Sequence, residues 1–246
     1  MKTATCLLAL LTLGVLARGH VIENFSQTYP LAPDGVIRLE NVNGSVEITA
    51  WDKAEVRLEA EKAAPDEEQL KRIHLEIDAT ASRLSVKTRY EKKSTFFNTD
   101  RGEVHYRLKV PAGASLENID VVNCSVTVRG VRGRAELNSV NGRIEGSGFA
   151  GAGRFETVNG SIAVAYDALP PSGSVALKSV NGSCHLTVAR DAGFELRADS
   201  VNGSIRCDLP VTLEKSGGHH LRGRVGSGGC EVILDSVNGG LAITAK

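Results

Sequence analysis

The sequence predicts an all-β fold, a parallel β-solenoid (β-helix) of 18–22-residue rungs with a less regular β-rich N-terminal half. Three observations carry that expectation. A Val-Asn-Gly tripeptide recurs along the chain at near-constant spacing. Apolar residues alternate with polar ones on both sides of it. Aromatics are only 4%, and 26 Gly stand against one Met and one Trp among 246 residues, a composition suited to thin layers of Val, Ile, Leu and Ala.

Residues 1–19 read as a signal peptide. Lys2 provides a positive start, Thr3 to Ala17 an apolar run, and Val15-Leu16-Ala17 or Ala17-Arg18-Gly19 the small residues of a cleavage site, so cleavage is expected after 17 or 19. The run is short for a membrane span and Arg18 ends it. Cys6 lacks the small-residue context of a lipoprotein cleavage box. The expectation is an exported chain, periplasmic, extracellular or cell-surface associated, with no transmembrane anchor.

Residues 20–117 form a β-rich N-terminal region. It holds one good unit, Val36 to Ala50, then alternating runs at Val56-Leu58-Ala60, Leu75-Ile77, Leu84-Val86 and Val104-Tyr106-Leu108-Val110. Pro65 opens a polar stretch, Asp66 to Arg72, with room for one or two helical turns. The region reads either as degenerate rungs or as a separate antiparallel layer.

Residues 118–246 carry the regular repeats. The corner asparagines are Asn43, Asn123, Asn141, Asn159, Asn181, Asn202 and Asn238. Three residues after each stand Val46, Val126, Ile144, Ile162, Cys184, Ile205 and Leu241; four before most of them stand Leu39, Leu137, Phe155, Leu177, Ala198 and Leu234. A period of two is a strand with one buried face, so each unit is strand, corner, strand and turn. Such a unit cannot bury its own apolar face and must stack on its neighbours. Gly suits a bend that needs positive φ, and Asn can link neighbouring corners in a hydrogen-bonded ladder. The step from Asn202 to Asn238 is 36 residues, twice 18, which suggests one hidden degenerate unit with Asn238 at the end of the stack. Cys124 in place of Gly implies a corner of different shape.

The 29 Lys+Arg balance 29 Asp+Glu, so no basic excess is present for a phosphate backbone and nucleic acid is excluded as a partner. Cys124, Cys184, Cys207 and Cys230 follow the leader without a CxxC pair, and they read as small buried apolar side chains. If the rungs of Cys184 and Cys207 are adjacent, their offset exceeds a disulfide span and both stay thiols.

These motifs, with "ENVNGSVEITAWD", "YRLKVPAGASL", the repeated "SVNGSI" and "GRVGSGGCEVILDSVNGGLAI", resemble the bacterial putative-adhesin β-strand-repeat family of unknown function. The resemblance covers nearly all of the chain after the leader. It implies an exported, non-enzymatic β-solenoid that binds or builds at the cell envelope, with an envelope glycan or protein as partner and no cofactor.

The asparagines are candidate ligand contacts, yet they recur wherever the bend recurs, so they are assigned to corner structure. A column of Glu40, Asp120, Asn138, Glu156, Lys178, Asp199 and Asp235 lies three residues before them. A polysaccharide-active enzyme needs clustered carboxylates, and Asn138 and Lys178 interrupt the column, which favours a solvated face. His219-His220 point to opposite faces of a strand and make a poor metal pair. No catalytic, cofactor or metal residue is assigned. The rivals are a polysaccharide-active β-helix enzyme and a scaffold that self-associates through the open solenoid end.

Overall fold

The computed structural model describes residues 12–15, 20–91 and 102–246. Of the expected leader, the strand Thr12–Val15 is described, antiparallel to Val21–Asn24; the rest of residues 1–19, with Cys6 and both cleavage positions, lies outside the described residues. Among the described residues the fold is all-β. Twenty strands join in one hydrogen-bonded sheet, beside a single helical turn, Glu67–Leu70. That turn starts where an N-cap residue is available: Asp66 Oδ1 accepts from the Gln69 backbone N–H at 2.7 Å.

Most strands are parallel and stack as tiers, each from the second onward a strand, an Asn corner and a second strand. In spatial order the first tier is Arg83–Tyr90 with Glu103–Pro111, and the second is Val36–Trp51. The third is Ser115–Arg129, and the fourth Ala135–Asn141 with Ile144–Phe149. The fifth is Gly153–Asn159 with Ile162–Tyr166, and the sixth Ser174–Asn181 with Cys184–Val188. The seventh is Cys230–Asn238 with Leu241–Ala245, and the eighth Phe194–Asn202 with Ile205–Cys207.

The register follows the alternation. Leu137, Phe155, Leu177, Leu234 and Ala198 align on the first strands; Val126, Ile144, Ile162, Cys184, Leu241 and Ile205 align on the second. All face the core between the two strand columns and all are buried except Ile205, which was expected inside and is half-buried because, among the described residues, no strand pairs with the far side of Ile205–Cys207. Gly146 interrupts the aliphatic column because the Phe149 ring occupies that space; a Cβ there would come 2.3 Å from Phe149 Cε2. Phe149 packs on Phe155 and Tyr166 with ring centroids 5.2 and 5.5 Å apart.

Residues 20–117 supply both of the alternatives the sequence leaves open. Val36–Trp51 is a full tier, and Arg83–Tyr90 with Glu103–Pro111 a split one. Antiparallel strands extend the stack beyond them: Glu55–Ala64 on Glu103–Pro111, Val21–Pro30 on Glu55–Ala64, and Ile73–Ala79 on Arg83–Tyr90.

Two expectations about the repeats are corrected. The segment between Asn202 and Asn238 holds no hidden tier. It folds as an antiparallel hairpin, Val211–Gly217 and His220–Val225, laid on Phe194–Asp199. Thr212 to His219 is exposed throughout and lacks the alternation a tier needs, whereas Cys230 to Ser236 and Leu241 to Thr244 alternate on either side of the corner. The chain end therefore enters the stack between the sixth and eighth tiers, and Asn202, not Asn238, occupies the last corner.

The role of the corner glycines also differs. Of them, Gly44 alone has positive φ, at 124°. At Gly142, Gly160, Gly182, Gly239 and Gly203 the reason is close stacking. A Cβ at Gly182 would fall 1.8 Å from the Gly160 carbonyl oxygen, and at the other four 1.9–2.1 Å from the carbonyl oxygen of the preceding tier. Cys124 does not break its corner: the strand Ser115–Arg129 runs through it without interruption, and the side chain is buried.

Candidate binding groove

The residue before each corner asparagine is out of phase with the inward positions, so it points outward. Val42, Val122, Val140, Val158, Val180 and Val237 are 37–42% exposed and Val201 61%. In stack order they form one stripe, and six intervals of about 4.8 Å make it about 29 Å long. It runs along a groove of about 1280 Å³, closed at one end by Lys87, Thr88, Arg89 and Tyr90 and at the other by His220.

The inward residue behind each valine is polar except at Val122, where it is the buried Val121. Ser139, Thr157, Ser179, Ser236 and Ser200 are buried, and each hydroxyl donates to a corner carbonyl of the preceding tier: Cys124, Gly142, Gly160, Gly182 and Gly239, at 3.0–3.3 Å. In the second tier Asn41 takes this place. Its Nδ2 donates to Val104 O at 2.9 Å and to Cys124 Sγ at 3.4 Å, and its Oδ1 accepts from Thr88 Oγ1 at 3.0 Å. Thr88 in turn bonds Tyr106 Oη at 2.7 Å. The sequence shows these hydroxyls only as a flank of the repeat; their recurrence two residues before the asparagines is the signal that would have marked them as a second ladder.

The asparagines themselves form a continuous chain of side-chain bonds. Asn123 Nδ2 donates to Asn43 Oδ1, Asn141 to Asn123, Asn159 to Asn141, Asn181 to Asn159, Asn238 to Asn181 and Asn202 to Asn238, all at 2.8–2.9 Å. Asn43 Nδ2 ends the chain on Gly102 O at 3.3 Å.

The other wall is the charged column, and each carboxylate in it has a partner. Glu40 pairs with Lys87. Asp120 accepts from Asn138 Nδ2 at 2.8 Å. Glu156 pairs with Arg154 at 2.8 Å and Asp235 with Lys178 at 3.4 Å. Asp199 pairs with Arg197 at 3.0 Å and with His220 Nδ1 at 2.6 Å. Partial burial works against the Asp199 carboxylate, but the bonds from His220 and Arg197 outweigh it and hold the group below its usual range. Of the histidine pair, His220 thus serves the column. Among the described residues no group of three or more His, Cys, Asp or Glu could hold a metal, and no helix is long and apolar enough to cross a membrane.

All four described cysteines are free. The tiers of Cys184 and Cys207 are not adjacent: Leu241 and Ile243 of the seventh tier stand between them. Burial, then the nearby Asp235 charge, pushes the Cys184 thiol up to about 12, and burial pushes Cys124 up to about 11.

No family model and no curated protein matches the chain. In fold it is similar to a "putative cell adhesion protein" from Clostridium sporogenes, with a TM-score of 0.51 at 9% identity, over 90% of this chain and 99% of that one. A "putative adhesin" from Bacteroides fragilis aligns with a TM-score of 0.36 at 11% identity, over 89% and 96%. A "putative lipid binding protein" from Parabacteroides distasonis aligns with a TM-score of 0.32 at 13% identity, over 91% and 97%. Of these, only the first is close enough to compare folds.

Proposed function

We propose that this chain is an exported, non-enzymatic β-solenoid of the cell envelope, and that it binds an extended neutral glycan along the valine groove. The stripe of seven exposed valines carries the reading, because soluble surfaces seldom leave a continuous apolar strip of that length open. A glycan offers C–H faces for the valines and hydroxyl edges for the flanking carboxylates and carboxamides. Four of the five carboxylates are paired with cations and Asp120 is bonded to the neutral Asn138, so most of the wall's charge is compensated; that suits a neutral polymer better than a polyion. The same pairing argues against hydrolysis, since every groove carboxylate is already engaged. The apolar run of residues 3–17 supports export, and the name of the Clostridium sporogenes protein agrees with a surface role.

The test is a glycan array probed with residues 20–246 and with a Val158→Asp/Val180→Asp variant. The expected result is a neutral ligand whose binding falls at least about tenfold in the variant while the melting temperature holds, as exposed substitutions usually allow. Binding of charged glycans alone, or undiminished binding by the variant, overturns the reading.

One observation favours a second reading, head-to-tail association. Among the described residues the outer edge of Ile205–Cys207 has no partner strand, although the other half of its tier is covered by the hairpin. Light scattering that rises into filaments with concentration supports it; a constant monomer mass refutes it.

A further inference from the structure

Six of the seven corners are Asn-Gly dipeptides. In such a pair the backbone nitrogen of the glycine can attack the asparagine Cγ unhindered by a side chain. Attack needs that nitrogen free and the carboxamide able to turn. At Asn141, Asn159 and Asn181 neither condition holds, and at Asn238 the second fails. The N–H groups of Gly142, Gly160 and Gly182 donate to the backbone oxygens of Asn159, Asn181 and Asn238 at 3.0–3.1 Å. Their carboxamides are pinned from both sides, each donating to one neighbour and accepting from the other. Asn238 is pinned in the same way, by Asn181 and Asn202. At the near end Asn43 is held by Gly102 O and Asn123, and Gly44 lies within a continuous strand.

Asn202 differs. It donates to Asn238 Oδ1 at 2.9 Å, but it occupies the last tier, so among the described residues no carboxamide stands beyond it to donate to its own oxygen. Among the described residues Gly203 likewise has no further corner whose carbonyl could engage its N–H.

We propose that Asn202 is a self-modification site, the one Asn-Gly corner that deamidates in the folded protein. The Gly203 nitrogen bonds to Asn202 Cγ and gives up its proton. The Cγ–Nδ2 bond breaks, ammonia leaves with that proton, and a succinimide remains. Water then adds to either ring carbonyl, opening the ring to aspartate or isoaspartate. The net change is one water taken up and one ammonia released, with no redox partner. The product loses the amide that bonded Asn238 and places a carboxylate beside the valine stripe.

Peptide mapping by mass spectrometry tests this on the full chain incubated in mildly alkaline buffer, folded and in urea. In the folded sample Asn202 should convert at least about tenfold faster than Asn141, Asn159 and Asn181, the ratio that corresponds to about 1.4 kcal/mol of extra local protection. In urea the three interior sites should rise to within about twofold of Asn202. The Asn202→Gln variant, folded by circular dichroism, should release no ammonia over the same period. An interior corner that converts as fast as Asn202 in the folded chain overturns the proposal. So does a ranking that persists in urea, which places the cause in local sequence, or ammonia release that continues in the variant.

Discussion

At the residue scale the corner residues divide by what they touch. Each interior asparagine makes two side-chain bonds and Asn202 makes one. Asn159→Ala and Asn238→Ala should each cost about 1–2 kcal/mol, and Asn202→Ala about half as much. For a chain of this size that is a fall in melting temperature of about 2–8 °C for the first two. Equal losses at Asn238 and Asn202 in thermal denaturation would contradict the tier order. Tyr166 is a different case. Its ring packs in the core against Phe149, its hydroxyl is buried without a hydrogen-bond partner, and burial drives its pKa upward. Tyr166→Phe removes a desolvated group and keeps the ring, so urea titration should show stability unchanged or raised by about 1 kcal/mol. A clear loss would mean that the hydroxyl has a partner after all.

At the element scale the hairpin and the tier ends differ from the stack interior. Asp199 holds the hairpin strand through His220, and its folded pKa is depressed. A depressed carboxylate contributes stability above its unfolded value of about 3.9, and that contribution is lost as pH falls through the lower folded value. Amide protection across His220–Val225, taken relative to the intrinsic exchange rate at each pH, should therefore hold near about pH 5 and fall toward acid more than protection in Gly153–Asn159. Parallel behaviour of the two strands would remove Asp199 from this role. The cysteines report the same gradient. Cys184 and Cys124 are buried thiols, whereas Cys207 is half-buried on the open edge. Iodoacetamide at neutral pH should label Cys207 first and reach Cys184 and Cys124 only after denaturation. Early labelling of Cys184 would show that the sixth tier opens.

At the scale of the whole molecule the chain end is structural. Residues 230–245 separate two tiers that precede them in sequence, so a chain stopped after Gly229 leaves Ser174–Val188 and Phe194–Cys207 without their shared neighbour. That truncation should abolish a single cooperative melting transition, whereas removing Ser216–His219 at the exposed hairpin tip should shift it little. A cooperative melt in the truncated chain would refute the insertion. Alternation made the strands, their faces and the inward positions of Leu137, Ile144 and Phe155 legible in the sequence. It carries no information on stacking order, and 36 residues between Asn202 and Asn238 fit a hidden tier as well as a hairpin. The groove was partly legible: Val140 and Val158 are out of phase with the inward positions, which marks them as outward-facing. What the sequence conceals is that close corner stacking, not positive φ, demands Gly160 and Gly182.

The asparagine chain has one more consequence. A backbone carbonyl can only accept, so the Gly102 oxygen obliges Asn43 to turn its NH₂ toward it and its oxygen toward Asn123. Each following amide must adopt the same sense, since a single reversed one would set oxygen against oxygen on one side and N–H against N–H on the other. One carbonyl thereby polarises seven aligned dipoles, like dominoes tipped from one end, and delivers a fixed electrical sign to a surface about 29 Å away.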